Sequence, residues 1–266
     1  MVDKNLNRYS RLIAEIFFKY YQPGNMEVPF ERTDIESAAA KLDIDLPKNL
    51  GDVIYSFRYR TQLPESITSK APEEYEWVIL STGRAKYRFE LTKEAVIVPR
   101  DHMTVTKIPD STPGVILKYA LDDEQSLLAK IRYNRLIDIF TGVTCYSLQN
   151  HLRTTAPGIG QVETDEVYIG IDKRGVHYVF PVQAKSGSGK IGTVQIRQDY
   201  AVCAAKLPDL ICRPIAAQYA SQDVIALLEF EQTDEGIQLS VEKHYKLVHP
   251  NELSSEELRI YQQRSE

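Results

Sequence analysis

Cysteine is scarce in this chain. Three occur in 266 residues, Cys145, Cys203 and Cys212, widely spaced and in apolar surroundings. That spacing makes neither a zinc pattern nor a disulfide framework, and it points to a reducing compartment, the cytoplasm. Long apolar runs are missing too: no stretch approaches the roughly 20 residues of a membrane-spanning helix, so no membrane partner is expected. The opening MVDKNLNRYSRLIAEIFFKYY scatters charges and lacks a small-residue cleavage site, so it does not read as a secretory signal. There is no excess of positive charge. A net charge of −5 argues against a simple polycation that coats nucleic acid, although not against a local basic face. Internal repeats and low-complexity tracts are absent as well.

What remains is the composition of an ordinary globular protein, 43% hydrophobic and 26% charged, long enough for one large or two small cores. Residues 1–120 hold 17 Lys and Arg against 17 Asp and Glu, so the acidic excess lies in 121–266. An acidic half suits a carboxylate-lined metal site or a solvated surface, and charge does not choose between them.

Residues 8–21 read as an amphipathic helix, with Leu12, Ile13, Ile16, Phe17 and Tyr20 at helical spacing, stopped by PGN at 23–25. RTDIESAAAKLDI offers a capping box of Thr33 and Glu36 before a second helix. LGDVIYSFRYR follows as a third, and YEWVIL–STGR–AKYRFEL alternates as a hairpin. Helix, helix, hairpin, from RTDIESAAAKLDI onward, is the order of a winged-helix unit, whose second helix, here LGDVIYSFRYR, commonly enters the major groove. On that reading Lys48, Asn49, Tyr55, Arg58, Tyr59 and Arg60, with Arg84 and Lys86 at the hairpin turn, are the candidate DNA contacts, because alternating aromatic and Arg residues suit phosphates and base edges. A plain packing module is the alternative. IPDSTPG at 108–114 is the expected linker, which divides the chain into a DNA-recognition domain at 1–112 and a second domain at 113–266.

In the second half, DDEQSLLAKIRYNRLIDIF reads as one long helix and CYSLQNHLR as a shorter one. QVETDEVYIGID, a KRG turn and VHYVFPVQAK then form a hairpin rich in Val, Ile, Tyr and Phe. TVQIRQDYAVCAAKL is helical, with Gln195, Gln198 and Asp199 as solvated surface. DLICRPIAAQYA, DVIALLEFEQ and GIQLSVEKHYKLV are strands, and ELSSEELRIYQQR closes as an exposed helix. The expected class is mixed α/β (α+β), with helices flanking one central sheet.

The chemistry gathers at that hairpin. Residues two apart on a strand share a face, so Glu163 and Asp165 point together and Glu166 away, while Gln183 and Lys185 share a face across the turn. A carboxylate, an amide oxygen and an ammonium then surround one small volume. Divalent cations such as Mg²⁺ take hard oxygen ligands and usually one or two carboxylates. A lysine beside them can stabilise charge on a phosphoryl group. The run SGSGK after Lys185 lacks the phosphate-loop pattern; His151 and His177 read as surface or structural residues before general bases, and His102, His244 and His249 make no ligand spacing with each other or with the cysteines.

Asp165, strand, turn, strand, then Gln183-Ala184-Lys185 resembles the PD-(D/E)xK nuclease motif of type II restriction endonucleases and their relatives, over roughly residues 120–235. The resemblance implies a restriction-endonuclease-like mixed sheet and Mg²⁺ held by Asp165, Gln183 and the Ala184 carbonyl. It implies Lys185 as the catalytic lysine, double-stranded DNA as substrate and a homodimer. Two positions depart from the pattern. Thr164 stands where proline is usual, and Gln183 replaces an acid. Glu163 is the residue placed to supply the missing carboxylate, so Glu163→Ala is expected to damage activity nearly as much as Asp165→Ala. An acid from the preceding helix sometimes joins such sites; Glu124 and Asp138 are available. A non-catalytic DNA-binding regulator, or a defence or repair nuclease acting on structured or modified DNA, are the alternative functions.

Overall fold

The computed structural model describes residues 7–93, 95–121, 123–186, 189–234 and 236–264. In chain order the elements are α1 (Arg8–Tyr20), β1 (Glu27–Glu31), α2 (Arg32–Leu42), α3 (Gly51–Tyr59), α4 (Glu65–Thr68), β2 (Glu76–Gly83), β3 (Lys86–Thr92) and β4 (Val96–Ile97). There follow β5 (Val105–Pro109), α5 (Gly114–Tyr119), α6 (Glu124–Tyr133), α7 (Leu136–Thr141), β6 (Thr144–Ala156), β7 (Gly160–Ile171), β8 (His177–Lys185) and β9 (Ile191–Gly192). The chain closes with α8 (Thr193–Lys206), β10 (Ile211–Cys212), β11 (Ile215–Ser221), β12 (Val224–Thr233), β13 (Gly236–Val248) and α9 (Ser255–Gln262). Two compact units emerge: residues 1–97, 154–162 and 192–205 form one, and 98–153, 163–191 and 206–266 the other. Among the described residues no helix is long and apolar enough to cross a membrane.

The first unit sets α1, α2 and α3 on a three-stranded antiparallel sheet of order β1-β3-β2. Its core is apolar at every element: Leu12, Ile13, Ile16 and Phe17 of α1 meet Val53 and Ile54 of α3 and Trp77, Ile79 and Phe89 of the sheet. Phe17 sits edge-on to Trp77 and Phe89, at centroid distances of 5.1 Å each. β1 was not foreseen; EVPFE is short and polar on one face, burying just Val28 and Phe30. The second helix also begins earlier than expected. Its N-cap is Glu31, boxed with Asp34, not Thr33 with Glu36. α8 belongs to this unit, and Gln198 and Asp199 are buried, correcting the expectation of a solvated face. Gln198 accepts a hydrogen bond from the Tyr59 hydroxyl at 3.0 Å, and Arg197 pairs with Glu90.

The second unit is built on a mixed sheet of order β5-β13-β12-β11-β8-β7-β6, with β10 also beside β8. β8 is central and buried from Tyr178 to Ala184, which is why its sequence runs apolar without alternation. Its neighbours are antiparallel β7 and parallel β11. Leu127, Leu128, Ile131, Leu136 and Ile137 from α6 and α7 cover Phe180, Val182 and Ala184 on one face. Three expectations are corrected here. CYSLQNHLR is a strand, β6, at the edge of the sheet and exposed through most of its length. The expected long helix is two, broken where Arg135 takes a left-handed conformation with φ 50°. Residues 108–114 do not link domains; β5 pairs in parallel with β13, so residues 98–112 fall in the second unit.

Candidate active site

The β7–β8 ladder runs from Ile171 opposite His177 to Glu166 opposite Val182. At its end the backbone of β8 still has a donor to satisfy, and the Asp165 side chain takes it: the Ala184 N–H donates to Asp165 Oδ2 at 2.8 Å. One residue on, Lys185 ends the strand. Its Nζ lies 4.0 Å from Asp165 Oδ2 and 3.3 Å from Glu124 Oε1.

Glu124 owes its place to α6. Asp123 caps that helix by accepting the Ser126 N–H at 2.9 Å, which makes Glu124 its first residue. Leu127 and Leu128, three and four residues on, are buried against the sheet, so Glu124 lies on the helix face turned toward it. The other helix acid, Asp138, is occupied by Arg135 and by the Cys145 N–H. An ammonium thus stands between two carboxylates of different elements. Burial raises the Asp165 pKa above the ordinary carboxylate value, and the Glu124 charge adds to the rise; the Ala184 N–H and Lys185 oppose it.

Glu163 does not meet Lys185. Its carboxylate is exposed and pairs with Arg153 at 3.1 Å, with His151 at 3.9 Å. The Glu163 backbone is the part that reaches the site: its carbonyl accepts from Gln183 Nε2 at 3.3 Å. Gln183 is fully buried beside the strand end. Glu166 does point away, as alternation requires. It is buried and held by Arg132 through two hydrogen bonds of 2.9 Å, and by Ser147 at 2.6 Å.

The donor chemistry fits a hard divalent cation, since Asp165 and Glu124 offer carboxylate oxygens to one volume. Among the described residues no three His, Cys, Asp or Glu side chains gather as a metal-binding group. Two carboxylates suit an ion that retains waters, and they do not make an all-protein cage.

Of the candidate DNA contacts, Lys48, Asn49, Tyr55, Arg60, Arg84 and Lys86 are exposed. Arg60 lies over the Tyr55 ring at 5.0 Å, and Asn49 is tied to Asp52 and the Gly51 N–H. Tyr59 is committed inward to Gln198. Arg58 is half-buried, and its Nε and one terminal nitrogen are buried with no hydrogen-bond partner among the described residues. No family model, curated protein or solved structure matches this chain.

Proposed function

We propose that the protein is a Mg²⁺-dependent, sequence-specific double-stranded DNA endonuclease of the type II restriction kind. The observation that carries the reading is the placement of Lys185 between Asp165 and Glu124 at the end of the buried strand β8. A half-buried lysine beside two carboxylates has an electrostatic reason to be there but needs no such site merely to reach water. Asp165 and Glu124 are the residues that hold the cation, with Gln183 and the Ala184 carbonyl beside them. When bound, Mg²⁺ supplies Lewis-acid stabilisation of the phosphoryl oxygens. Lys185 donates a charge-assisted hydrogen bond to the phosphate, strongest as negative charge builds in the transition state. Asp165 stays fixed because the Ala184 N–H orients its carboxylate.

The first unit suits DNA reading. The order α1-β1-α2-α3-α4-β2-β3, with β1 completing a sheet of order β1-β3-β2, resembles that of a winged-helix unit apart from the added turn of α4, and on this reading α3 is the groove-entering helix. Exposed Arg60, Arg84 and Lys86 supply phosphate contacts. Cutting both strands of a palindromic site calls for two copies of the active site, hence a homodimer.

The test is incubation of the protein with methylation-free phage DNA, with and without Mg²⁺. Discrete fragments formed with Mg²⁺ alone are expected. Intact DNA together with a mobility shift would favour a non-catalytic DNA-binding regulator. Cleavage restricted to structured or modified DNA would move the assignment to a defence or repair nuclease.

A further inference from the structure

We propose that Gln218 and Gly189 form a clamp that positions the Lys185 side chain. Lys185 leaves β8 on a flexible four-carbon stem, and the rotamer entropy of that stem opposes holding its ammonium at one point. Two features of the second unit act on that stem. Gly189 packs directly on it: a Cβ built at Gly189 would sit 3.2 Å from Lys185 Cδ and 3.4 Å from Lys185 Cβ. Contact this close is open to glycine and crowded for any other residue. The segment is closed upon itself, since the Gly189 N–H donates to the Ser186 carbonyl at 3.0 Å.

Gln218 fixes the other side of Gly189. On β11 it is the register partner of Lys185, so the two side chains leave the sheet on the same face. Its Nε2 donates to the Gly189 carbonyl at 2.8 Å. Gln218 is 8% exposed, and its Oε1 is buried with no hydrogen-bond partner among the described residues. Burying an amide with half its capacity unmet is costly. The bond to Gly189 is what the buried amide provides in return. Gln218 holds Gly189, Gly189 bears on the lysine stem, and the ammonium is kept at Asp165 and Glu124. Gln218 is therefore a positioning residue.

The geometric part stands by itself, and its catalytic consequence rests on the nuclease reading. The test compares wild type, Gln218→Met, which keeps the bulk and loses the donor, and Gly189→Ala, which crowds the stem. Lys185 modification by reductive methylation is followed by mass spectrometry, with exposed Lys173 as internal reference, beside cleavage kinetics. Both variants are expected to modify Lys185 several-fold faster than wild type while Lys173 is unchanged. They are expected to lower kcat by about 10- to 100-fold, the range seen when a supporting shell is removed, with little change in KM. Unchanged Lys185 modification in both variants overturns the clamp. Faster Lys185 modification with no DNA cleavage by wild type retains the clamp and removes the nuclease reading.

Discussion

Replacing Glu124 and Glu163 in parallel separates the two acids that compete for a place in the site. Glu124 stands 3.3 Å from the Lys185 ammonium. At an effective dielectric constant of 20 that separation corresponds to about 5 kcal/mol of attraction. Glu124 is 41% exposed, however, and solvent screening reduces a pair of this kind to about 1 kcal/mol or less. Glu124→Ala should therefore leave the fold nearly intact, with Tm lowered by no more than roughly 2–4 °C. The effect on cleavage should be of another order. Under the proposed function Glu124 is one of two carboxylates that hold the cation, and its loss is expected to lower kcat/KM by at least about 100-fold, or about 2.7 kcal/mol of transition-state stabilisation. Glu163→Ala removes an exposed carboxylate paired with Arg153, worth about 0–1 kcal/mol, and should leave cleavage within a few-fold of wild type. The assay is single-turnover cleavage of a duplex at saturating enzyme, with Tm recorded for each variant. Loss of activity in Glu163→Ala with retention in Glu124→Ala would refute the assignment drawn from the geometry.

Asp165→Asn should abolish cleavage and leave the protein as stable as wild type or more so at pH 7–8. Burial raises the folded carboxyl pKa, so the charge opposes folding once the pH rises through the ordinary value and on past the raised one, and asparagine, which can still accept the Ala184 N–H, is free of that cost; a lower Tm would contradict it. Gly170→Ala should destabilise the second unit. A Cβ there would lie 2.7 Å from both Phe180 and Val143 in the buried core, overpacking of about 1–3 kcal/mol, and a thermal melt should drop by roughly 2–12 °C. Arg58→Met should raise the Tm of the free protein, because Nε and one terminal nitrogen are buried with no hydrogen-bond partner among the described residues; Arg60→Met, which removes an exposed guanidinium, should weaken DNA binding with a salt slope about one unit shallower, and an unchanged slope would remove Arg60 from the interface.

Elements with strong periodicity were legible from residues alone. α1 follows its 3.6-residue stripe, and β8 its unbroken apolar run. β6 was not: with Leu148 and Leu152 four apart and no alternating face, an edge strand exposed on both sides mimics a short polar helix. β1 escaped because five residues with two buried side chains carry little signal. At the site, period two correctly sent Glu166 away from Asp165. The same rule drew Glu163 toward Asp165 and Lys185, because alternation gives a face and not a partner, and Arg153 claims that carboxylate. Glu124 lies 61 residues from Lys185, and their meeting depends on how α6 packs on the sheet. No local pattern records that. The burial of Gln198 and Asp199 is hidden for the same reason, since a polar helix face says nothing of what covers it.

The most direct measurement is a gel of unmethylated phage DNA incubated with Mg²⁺ and either wild-type protein or Lys185→Ala. Discrete bands from the wild type, and intact DNA from the variant, are what the account predicts. Equal cleavage by both would contradict the role given to Lys185, and intact DNA from both would contradict the nuclease itself.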